Sequence, residues 1–357
     1  MADLSHALDD PSFVTRLDPG GMLGYTERFP GQVREAVEIG FQAEIPTLEM
    51  RPGVAVLTGL GGSAAGGDFV RSLFEASGAV PFLVNRDYHV PHHLGLGDLV
   101  FCSSYSGNTE ETLSAYADAR TRGCRLMAVT SGGRLAEDAA RDGVPVARVP
   151  GGQPPRTALG YMTMPVMVAC ERLKLIPPQP YEKAAQVLDG CGERWGVSMP
   201  TERNEAKQVA LALHGKLAVI YGLGSWQGAL ANRWKGQINE NAKNLAFCNA
   251  LPEMNHNEIL GWTGASEQGV AGWVVVTLED GSESAKMKAR ARVSRELIGS
   301  QAQFVSARAV GDSHLERMLS LAYMADFVSL YLAALNAVDP EKIDAIDKLK
   351  SALSGVA

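Results

Sequence analysis

Short apolar runs alternate along this chain with longer stretches of helical character, and this alternation restricts the fold more than any other sequence feature. A short apolar run that enters a glycine-rich turn is typical of a buried strand. Strands that alternate with helices predict a parallel sheet covered by helices on both faces. The strands predicted in the first half are residues 54–58, 80–85, 98–103, 125–130 and 144–149.

The pattern restarts after residue 200 with strands at 216–221, 273–278 and 302–306, and a helix at 226–239. The turn Gly59-Leu-Gly-Gly-Ser63 follows the first strand of the first half, and Gly222-Leu-Gly-Ser225 follows that of the second. We interpret this echo as an internal duplication. The 357 residues then divide into an α/β domain at 1–155 with an N-terminal helical extension, a helical connector at 156–200, and a second α/β domain at 201–357.

Composition argues against several classes of function. The net charge is −7 and no Lys/Arg run stands out, so a nucleic-acid partner is not expected. The N-terminus lacks the pattern of a signal peptide, and no apolar run approaches the roughly 20 residues of a membrane helix. The five cysteines are scattered and form no Cys-x-x-Cys pair. Reduced thiols and a cytoplasmic location are therefore expected.

The first glycine-rich loop, at 59–68, follows a strand and precedes a helix. Glycines allow a ligand to approach the backbone N–H groups, and a helix N-terminus favours an anion. The spacing also fits a dinucleotide fingerprint of the G-x-G-x-x-A type, with Asp87 near the ribose-binding distance. Tight packing of the strand on the helix is the third alternative. No Gly-Lys-Ser/Thr follows, so a nucleoside-triphosphate loop is excluded.

The loop that ends the third strand carries three hydroxyl groups, on Ser104, Ser106 and Thr109. Hydroxyls beside free backbone amides at a helix start predict a phosphate site that needs no cation. Alternatively, Ser106 or Thr109 caps the helix, and both interpretations are compatible. No carboxylate set suited to magnesium accompanies this loop.

Four further residues are candidates, each with a plain alternative. Glu240 lies in a polar cluster at a helix end and could act as a base, or could be a surface residue paired with Lys243 or Lys235. His256 lies in a loop between amides that could orient its ring, or it could be a structural histidine. Arg156 follows two prolines and could present its guanidinium to an oxyanion, or lie on the surface. Lys350 is hard to separate from Lys348, two residues away.

Several motifs, taken together, resemble the bifunctional phosphoglucose/phosphomannose isomerases, which belong to the sugar isomerase (SIS) fold group. The Ser-Gly-Asn-Thr loop is common to many SIS proteins, whereas the combination of Asn-Glu-Asn with His-Asn is more specific. The motifs occur in the order of the family and span most of the chain. They are Gly61-Gly-Ser63 with Gly67-Asp68, Ser104-Tyr-Ser-Gly-Asn-Thr-Glu-Glu-Thr-Leu113, Pro155-Arg156-x-Ala-Leu159, Asn239-Glu-Asn-Ala-Lys243, Pro252-Glu-Met-Asn-His256-Asn257 and Ile346-Asp-x-Leu-Lys350.

The resemblance implies two SIS-type, flavodoxin-like domains in a homodimer with shared active sites, and an aldose–ketose isomerisation through an enediolate without cofactor or metal. By this resemblance Glu240 is the base, His256 and Lys350 act in ring opening, and Arg156 steadies the enediolate. The phosphate of the substrate is bound by Gly62, Ser63, Ser104, Ser106 and Thr109.

One position departs from the family. Some members have a threonine near the start of the last helix that is linked to acceptance of both the glucose and mannose epimers, and here Ile343 stands at that place. Acceptance of mannose 6-phosphate is therefore in doubt. Two other functions remain as alternatives: a sugar-phosphate-binding regulator that has lost catalysis, and a dinucleotide-dependent oxidoreductase that rests on the loop at 59–64 and on Asp87.

Overall fold

The first half of the chain folds into a parallel sheet. The computed structural model describes residue 4, residues 6–268 and residues 272–353, apart from the side chains at 350 and 353. Three helices come first, and five strands follow in the order β2-β1-β3-β4-β5, all parallel. The elements are α1 (Pro11–Thr15), α2 (Met22–Glu27), α3 (Phe29–Gln42), β1 (Ala55–Thr58), α4 (Gly61–Ser77), β2 (Phe82–Asn85), β3 (Leu99–Ser103), α5 (Glu110–Thr121), β4 (Arg125–Thr130), α6 (Gly133–Asp142) and β5 (Val146–Arg148).

The second half repeats this plan with four strands in the order β7-β6-β8-β9, again all parallel. Its strand order matches that of the first four strands of the first sheet, as the glycine-rich echo predicts. The elements are α7 (Leu159–Arg172), α8 (Tyr181–Trp195), α9 (Glu205–Leu213), β6 (Leu217–Gly222), α10 (Ser225–Ala242), β7 (Ala246–Ala250), α11 (Glu258–Thr263), β8 (Trp273–Glu279), α12 (Ala285–Ile298), β9 (Ala302–Arg308), α13 (His314–Leu335) and α14 (Asp344–Leu353).

One large apolar core joins the two sheets. Successive residues of a strand point to opposite faces, so Ala55 and Leu57 of β1 face this core while Val56 faces a smaller cluster. In β6, Ala218 and Ile220 face the same large core. Both faces of each sheet are therefore buried, which is why the strands are continuous apolar runs rather than alternating ones.

Helix α13 is central to this shared core. It is long and apolar enough to cross a membrane by length and composition, so the expectation that no run approaches that length is wrong. All of the apolar stretch is buried inside the protein, because α13 packs between α8, α9 and α10. A helix that is apolar on every side is expected wherever helices surround it in a core.

The fold class predicted from the sequence is confirmed: each half contains a parallel sheet flanked by helices. The prediction missed β7, α9 and α11 in the second half. Strand β7 reads Ala-Phe-Cys-Asn-Ala and has few of the residues that favour strands, so its pairing with β6 defines it. The last helix begins at Asp344.

Candidate active site

The carboxyl ends of β1 and β3 form a crevice, because the strand order reverses between these two neighbours. The loop after β1 leads into α4, and the loop after β3 leads into α5. The two loops touch: a Cβ added at Gly59 would lie 2.7 Å from the carbonyl oxygen of Ser103. The two glycine- and serine-rich loops singled out in the sequence thus form one site.

Hydroxyl and amide groups of the loop after β3 face each other across a tight turn. The Ser104 and Thr109 hydroxyls lie 2.8 Å apart, and the Gly107 amide donates to Ser104 Oγ over 3.1 Å. Gly107 has a φ of +70°, and a Cβ there would lie 1.8 Å from the Gly132 carbonyl oxygen, so only glycine fits. The Asn108 amide donates to Ser106 Oγ over 3.2 Å. Each hydroxyl is thereby oriented by the loop itself.

The expectation that Ser106 or Thr109 caps the helix is wrong. Thr109 occupies the N-cap position of α5, yet its side chain makes no capping hydrogen bond. Its hydroxyl turns toward Ser104 instead. The first amides of a helix have no partner within the helix, so those of α5 are available to an anion. Helix α4, which carries the mostly buried Ser63, likewise begins without a side-chain cap.

Arg156 connects the loop after β1 to the second half of the chain. A Cβ at Gly62 would lie 3.0 Å from the Pro155 carbonyl oxygen, so Gly62 packs directly against the turn that carries Arg156. The Arg156 side chain is only 7% exposed, which contradicts a surface role. Its Nε donates to Asn241 Oδ1 over 2.7 Å, and its Nη2 donates to the carbonyl oxygen of Pro340 over 2.6 Å. Burial lowers the pKa of Arg156. The nearby carboxylates, of which Glu240 has the largest effect, act in the opposite direction and raise it.

Glu240 lies in the last turn of α10, with its Oε2 3.8 Å from Arg156 Nη1. The alternative pairing with Lys243 or Lys235 is not what the structure shows. Lys243 turns away and donates to the carbonyl oxygen of Asp339 over 2.7 Å. Because 38% of the Glu240 side chain is exposed, the carboxylate is reachable from solvent while it faces a guanidinium.

Hydrogen bonds from Arg156 and Lys243 hold the C-terminal segment at this site. Arg156 and Lys243 both donate to the Pro340 carbonyl oxygen, and Arg156 also reaches that of Glu341 over 2.8 Å. Helix α14 starts three residues after Glu341 and carries the exposed Lys348. The backbone of Lys350 belongs to α14, and its side chain lies outside the described part of the structure. Ile343 immediately precedes α14.

His256 lies far from Glu240 in the same chain. Helix α10 begins at the carboxyl end of β6 and runs back, because Asn244 bonds Lys216 at the amino end of that strand. The turn that holds His256 stays at the carboxyl end, where the Leu251 amide bonds the Gly222 carbonyl. The 15 helical steps from Ser225 to Glu240 span roughly 22 Å. Within one chain, His256 therefore lies at the carboxyl ends of the strands of the second sheet, and Glu240 lies near their amino ends. The other site residues lie on the side of Glu240: Ser63, Ser104, Thr109 and Arg156.

The amides beside His256 do not orient its ring, contrary to the prediction. Asn255 Nδ2 donates to Ser294 Oγ over 2.6 Å, and Asn257 Nδ2 donates to Glu253 Oε1 over 2.8 Å. Both amide groups bond other side chains, and the imidazole is exposed.

The matching crevice of the second sheet has carboxylates on one of its two loops. It lies between the loop after β6 and the loop after β8. In the latter, Asp280 Oδ1 accepts from the Ser282 amide over 2.7 Å, and Glu283 Oε1 accepts from the Asp280 amide over 2.5 Å. Because two negative charges already take these donors, a phosphate is disfavoured there.

Sequence reasoning missed the roles of Lys243 and Asn241 in holding the C-terminal segment and Arg156. Both residues belong to the Asn239–Lys243 motif that was singled out, so the signal was present in the sequence. Their function depends on which distant carbonyl or guanidinium they meet, and the motif alone does not contain that information.

Comparison with known proteins identifies the family of this chain. Residues 202–353 match the family model of the bacterial phospho-glucose isomerase C-terminal SIS domain. A bifunctional phosphoglucose/phosphomannose isomerase of Caldicellulosiruptor bescii is 40% identical over 92% of this chain and 97% of its own length. The enzyme of the same name from Aquifex aeolicus is 34% identical over 84% of this chain and 89% of its own length.

A solved structure, of a hypothetical protein from Thermus thermophilus, superimposes with a TM-score of 0.73. The superposition covers 96% of this chain and 93% of the Thermus thermophilus chain. Because the two sequences are only 17% identical, it supports the fold alone. The resemblance drawn from the motifs is confirmed by the curated relatives, whose identity extends over nearly the whole chain. This chain belongs to the bifunctional phosphoglucose/phosphomannose isomerase family.

Proposed function

We propose that this protein interconverts glucose 6-phosphate and fructose 6-phosphate through an enediolate. The observation that carries the proposal is the Glu240 carboxylate, held 3.8 Å from the buried Arg156 beside the loop that precedes Ser63. The relatives are named for both glucose and mannose substrates. Because Ile343 replaces a threonine of some relatives, turnover of mannose 6-phosphate is the finer question.

In the proposed mechanism the substrate phosphate lies on the hydroxyls of Ser63, Ser104, Ser106 and Thr109, with Gly62 and the first amides of α4 and α5 beside it. Glu240 removes the proton from C2 of the open-chain aldose, and the electron pair passes through C2–C1 to the carbonyl oxygen. Glu240 then returns the proton to C1. The proton of the C2 hydroxyl passes to the C1 oxyanion as the C2 carbonyl forms, so no proton is gained or lost overall. A single carboxylate serves both carbons, and the steps as written use no metal or nucleotide.

Arg156 would balance the negative charge of the enediolate. Two of its three nitrogens are engaged by Asn241 and by backbone carbonyls, and the third, Nη1, faces Glu240. A guanidinium fixed in this way needs little reorganisation when charge develops, which is the condition for effective electrostatic stabilisation. The family resemblance assigns ring opening to His256 and Lys350.

We propose a homodimer with shared active sites, because His256 and Glu240 are about 20 Å apart in one chain. His256 would then complete the site of a second copy. Large exposed apolar side chains lie near it, with Leu260 70% and Phe247 46% exposed. Phe247 lines a cavity of about 400 Å³ together with Gly261, the neighbour of Leu260. Such a patch is typical of a surface that is covered in an assembly.

A coupled assay with fructose 6-phosphate tests the proposed function. We expect glucose 6-phosphate to form, and its amount is followed separately from that of mannose 6-phosphate. Formation of neither product would refute the isomerase and favour the non-catalytic regulator. The oxidoreductase alternative predicts nicotinamide binding, which a fluorescence titration detects. In the structure, Asp87 Oδ1 accepts a hydrogen bond from the amide of its neighbour Tyr88.

The division into 1–155, 156–200 and 201–357 remains a prediction, and the family match at 202–353 supports its last boundary. We also propose a cytoplasmic location. All five cysteines are free thiols, and four of them are buried.

A further inference from the structure

His256 is presented on a turn that is anchored on both sides. The turn is the short 3-10 helix Glu253–His256, which follows β7. Met254, two residues before the histidine, is fully buried in the apolar cluster on the outer face of the second sheet. Glu258, two residues after it, begins α11. Between these anchors the imidazole is exposed and has no hydrogen bond or ion pair within the described residues.

The second anchor is a polar network centred on the Glu258 carboxylate. The Tyr221 hydroxyl donates to Oε1, and Asn249 Nδ2 donates to Oε2 over 2.7 Å. Tyr221 and Asn249 lie near the ends of the paired strands β6 and β7. The buried indole of Trp262 donates to the Tyr221 hydroxyl over 2.8 Å. Burial, followed by the bond to Glu258, raises the pKa of Tyr221, so its hydroxyl remains a donor.

The polar network fixes the orientation of the turn, which the buried Met254 does not fix. A buried Met254 fixes the depth of the turn but little of its rotation, since apolar contacts are not directional. Two hydrogen bonds to separate oxygens of one carboxylate fix Glu258 relative to two strand ends. The Asn257 side chain also accepts from the Glu258 amide over 2.6 Å, so the peptide between His256 and Glu258 is held as well.

We propose that Glu258 is a positioning residue, which through Tyr221 and Asn249 fixes the direction in which His256 leaves the surface. This rests on the proposed function, in which His256 must reach the site of a second copy. The position of His256 in the site of a second copy depends on how firmly its own chain holds the turn. A misplacement of about 1 Å at a reacting group can reduce the rate a hundred-fold. Glu258 itself does not touch the substrate.

A double-mutant cycle between Glu258→Gln and His256→Ala tests the proposal. We expect Glu258→Gln to lower kcat for glucose 6-phosphate by about ten- to a hundred-fold, with KM changed less than about two-fold. In the His256→Ala background the same change should cause no further loss, because residues that act as a unit are not additive. Tyr221→Phe, which removes one donor to Glu258, should behave in the same way with a smaller loss.

Glu279→Gln is the matched control. This carboxylate also ends a strand of the second sheet and accepts from the Ser306 hydroxyl over 2.6 Å, but it does not contact the turn. Glu279→Gln should cause only a small loss of kcat, and the loss should be the same in the wild-type and His256→Ala backgrounds. Thermal melting and the mass in solution are measured for each variant.

Three outcomes overturn the proposal. Glu258→Gln and Tyr221→Phe could both leave kcat at the wild-type value. The loss on Glu258→Gln could be the same with and without His256, which would indicate a general structural role. His256→Ala could leave kcat unchanged in an active enzyme, so that there is nothing for Glu258 to position. A wild-type protein that does not isomerise glucose 6-phosphate would instead refute the proposed function, and the inference with it.

Discussion

Glu240 combines properties that a proton-transferring carboxylate needs. It is open enough for a substrate carbon to reach it, and it lies near a guanidinium that is buried and held by other groups. Asn239 and Asn241, on either side, bond the Ala246 amide and Arg156, so the helix end that carries Glu240 is fixed from both sides.

We expect Glu240→Gln to reduce kcat by on the order of a hundred- to ten-thousand-fold, because glutamine keeps the size of the side chain but cannot accept the proton. KM should stay close to that of the wild type. Exchange of the C2 proton with solvent deuterium, followed by NMR, should also be lost. Glu193→Gln, on the exposed face of α8, serves as the control. Exchange that persists in Glu240→Gln would identify another group as the base.

His256→Ala is expected to separate ring opening from proton transfer. Glucose 6-phosphate is mostly cyclic, and its ring must open before the C2 proton becomes acidic. The variant should therefore lose most of its turnover of the cyclic substrate and retain exchange of the C2 proton in an open-chain substrate. If a folded His256→Ala protein loses both, the two roles are not separable.

The loop between β3 and α5 makes a prediction about substrate affinity. Ser106→Ala with Thr109→Ala removes two hydroxyl donors, and the one on Thr109 also contacts the Ser104 hydroxyl. We expect KM to rise roughly ten-fold or more, since a hydrogen bond to a charged group is worth about 1.5–3 kcal/mol. Ser282→Ala, in the corresponding loop of the second sheet, is the control and should leave KM unchanged. An unchanged KM in the double variant would locate the phosphate elsewhere.

Acid sensitivity is predicted where α13 begins against α4. The largely buried His314 has its Nε2 3.1 Å from Ser72 Oγ. Burial lowers its pKa, with Arg317 acting in the same direction and Asp280 and Glu75 opposing. The pKa of His314 in the folded state lies below the ordinary value of about 6.5. At a pH between these two values, the unfolded chain therefore binds more protons than the folded protein. Stability is therefore complete above about pH 6.5 and is lost as the pH falls through the folded value.

His314→Gln keeps a polar side chain that does not titrate. We expect the melting temperature of the wild type to fall more steeply than that of this variant as the pH is lowered from about 7 to 5. Calorimetric melts at matched ionic strength measure the difference. Parallel curves for the two proteins would show that His314 does not cause the acid loss.

The arrangement of the whole molecule predicts complementation between inactive subunits. In a two-fold dimer with shared sites, a hybrid of Glu240→Gln and His256→Ala subunits has one site with both residues intact. Random co-assembly should therefore restore about a quarter of the wild-type activity, and the purified hybrid should have about half of it. Co-expression of two differently tagged chains and purification of the hybrid tests this. An inactive hybrid, or a monomeric mass at full activity, would refute the shared site.

Much of the candidate site was predictable because local sequence carries it. The Ser104–Thr109 loop needs only a strand end, a glycine at positive φ and the start of a helix, and all three are encoded within a few residues. Glu240 and Arg156 were identified as motif residues, but the alternative of a surface pairing for Glu240 could not be rejected. The distance between these two side chains depends on how the 83 intervening residues fold, and no local pattern contains that information.

The sequence by itself determined the class of fold and the family, because continuous apolar runs, glycine-rich turns and widely spaced motifs are all read along the chain. Tertiary structure decided that Lys243 holds the Asp339 carbonyl and not Glu240, and that α13 is a core helix surrounded by others. It also decided that His256 and Glu240, 16 residues apart in sequence, lie at opposite edges of one sheet. The reason is physical: a helix must run back across the sheet before the next parallel strand can begin, so closeness in sequence does not become closeness in space.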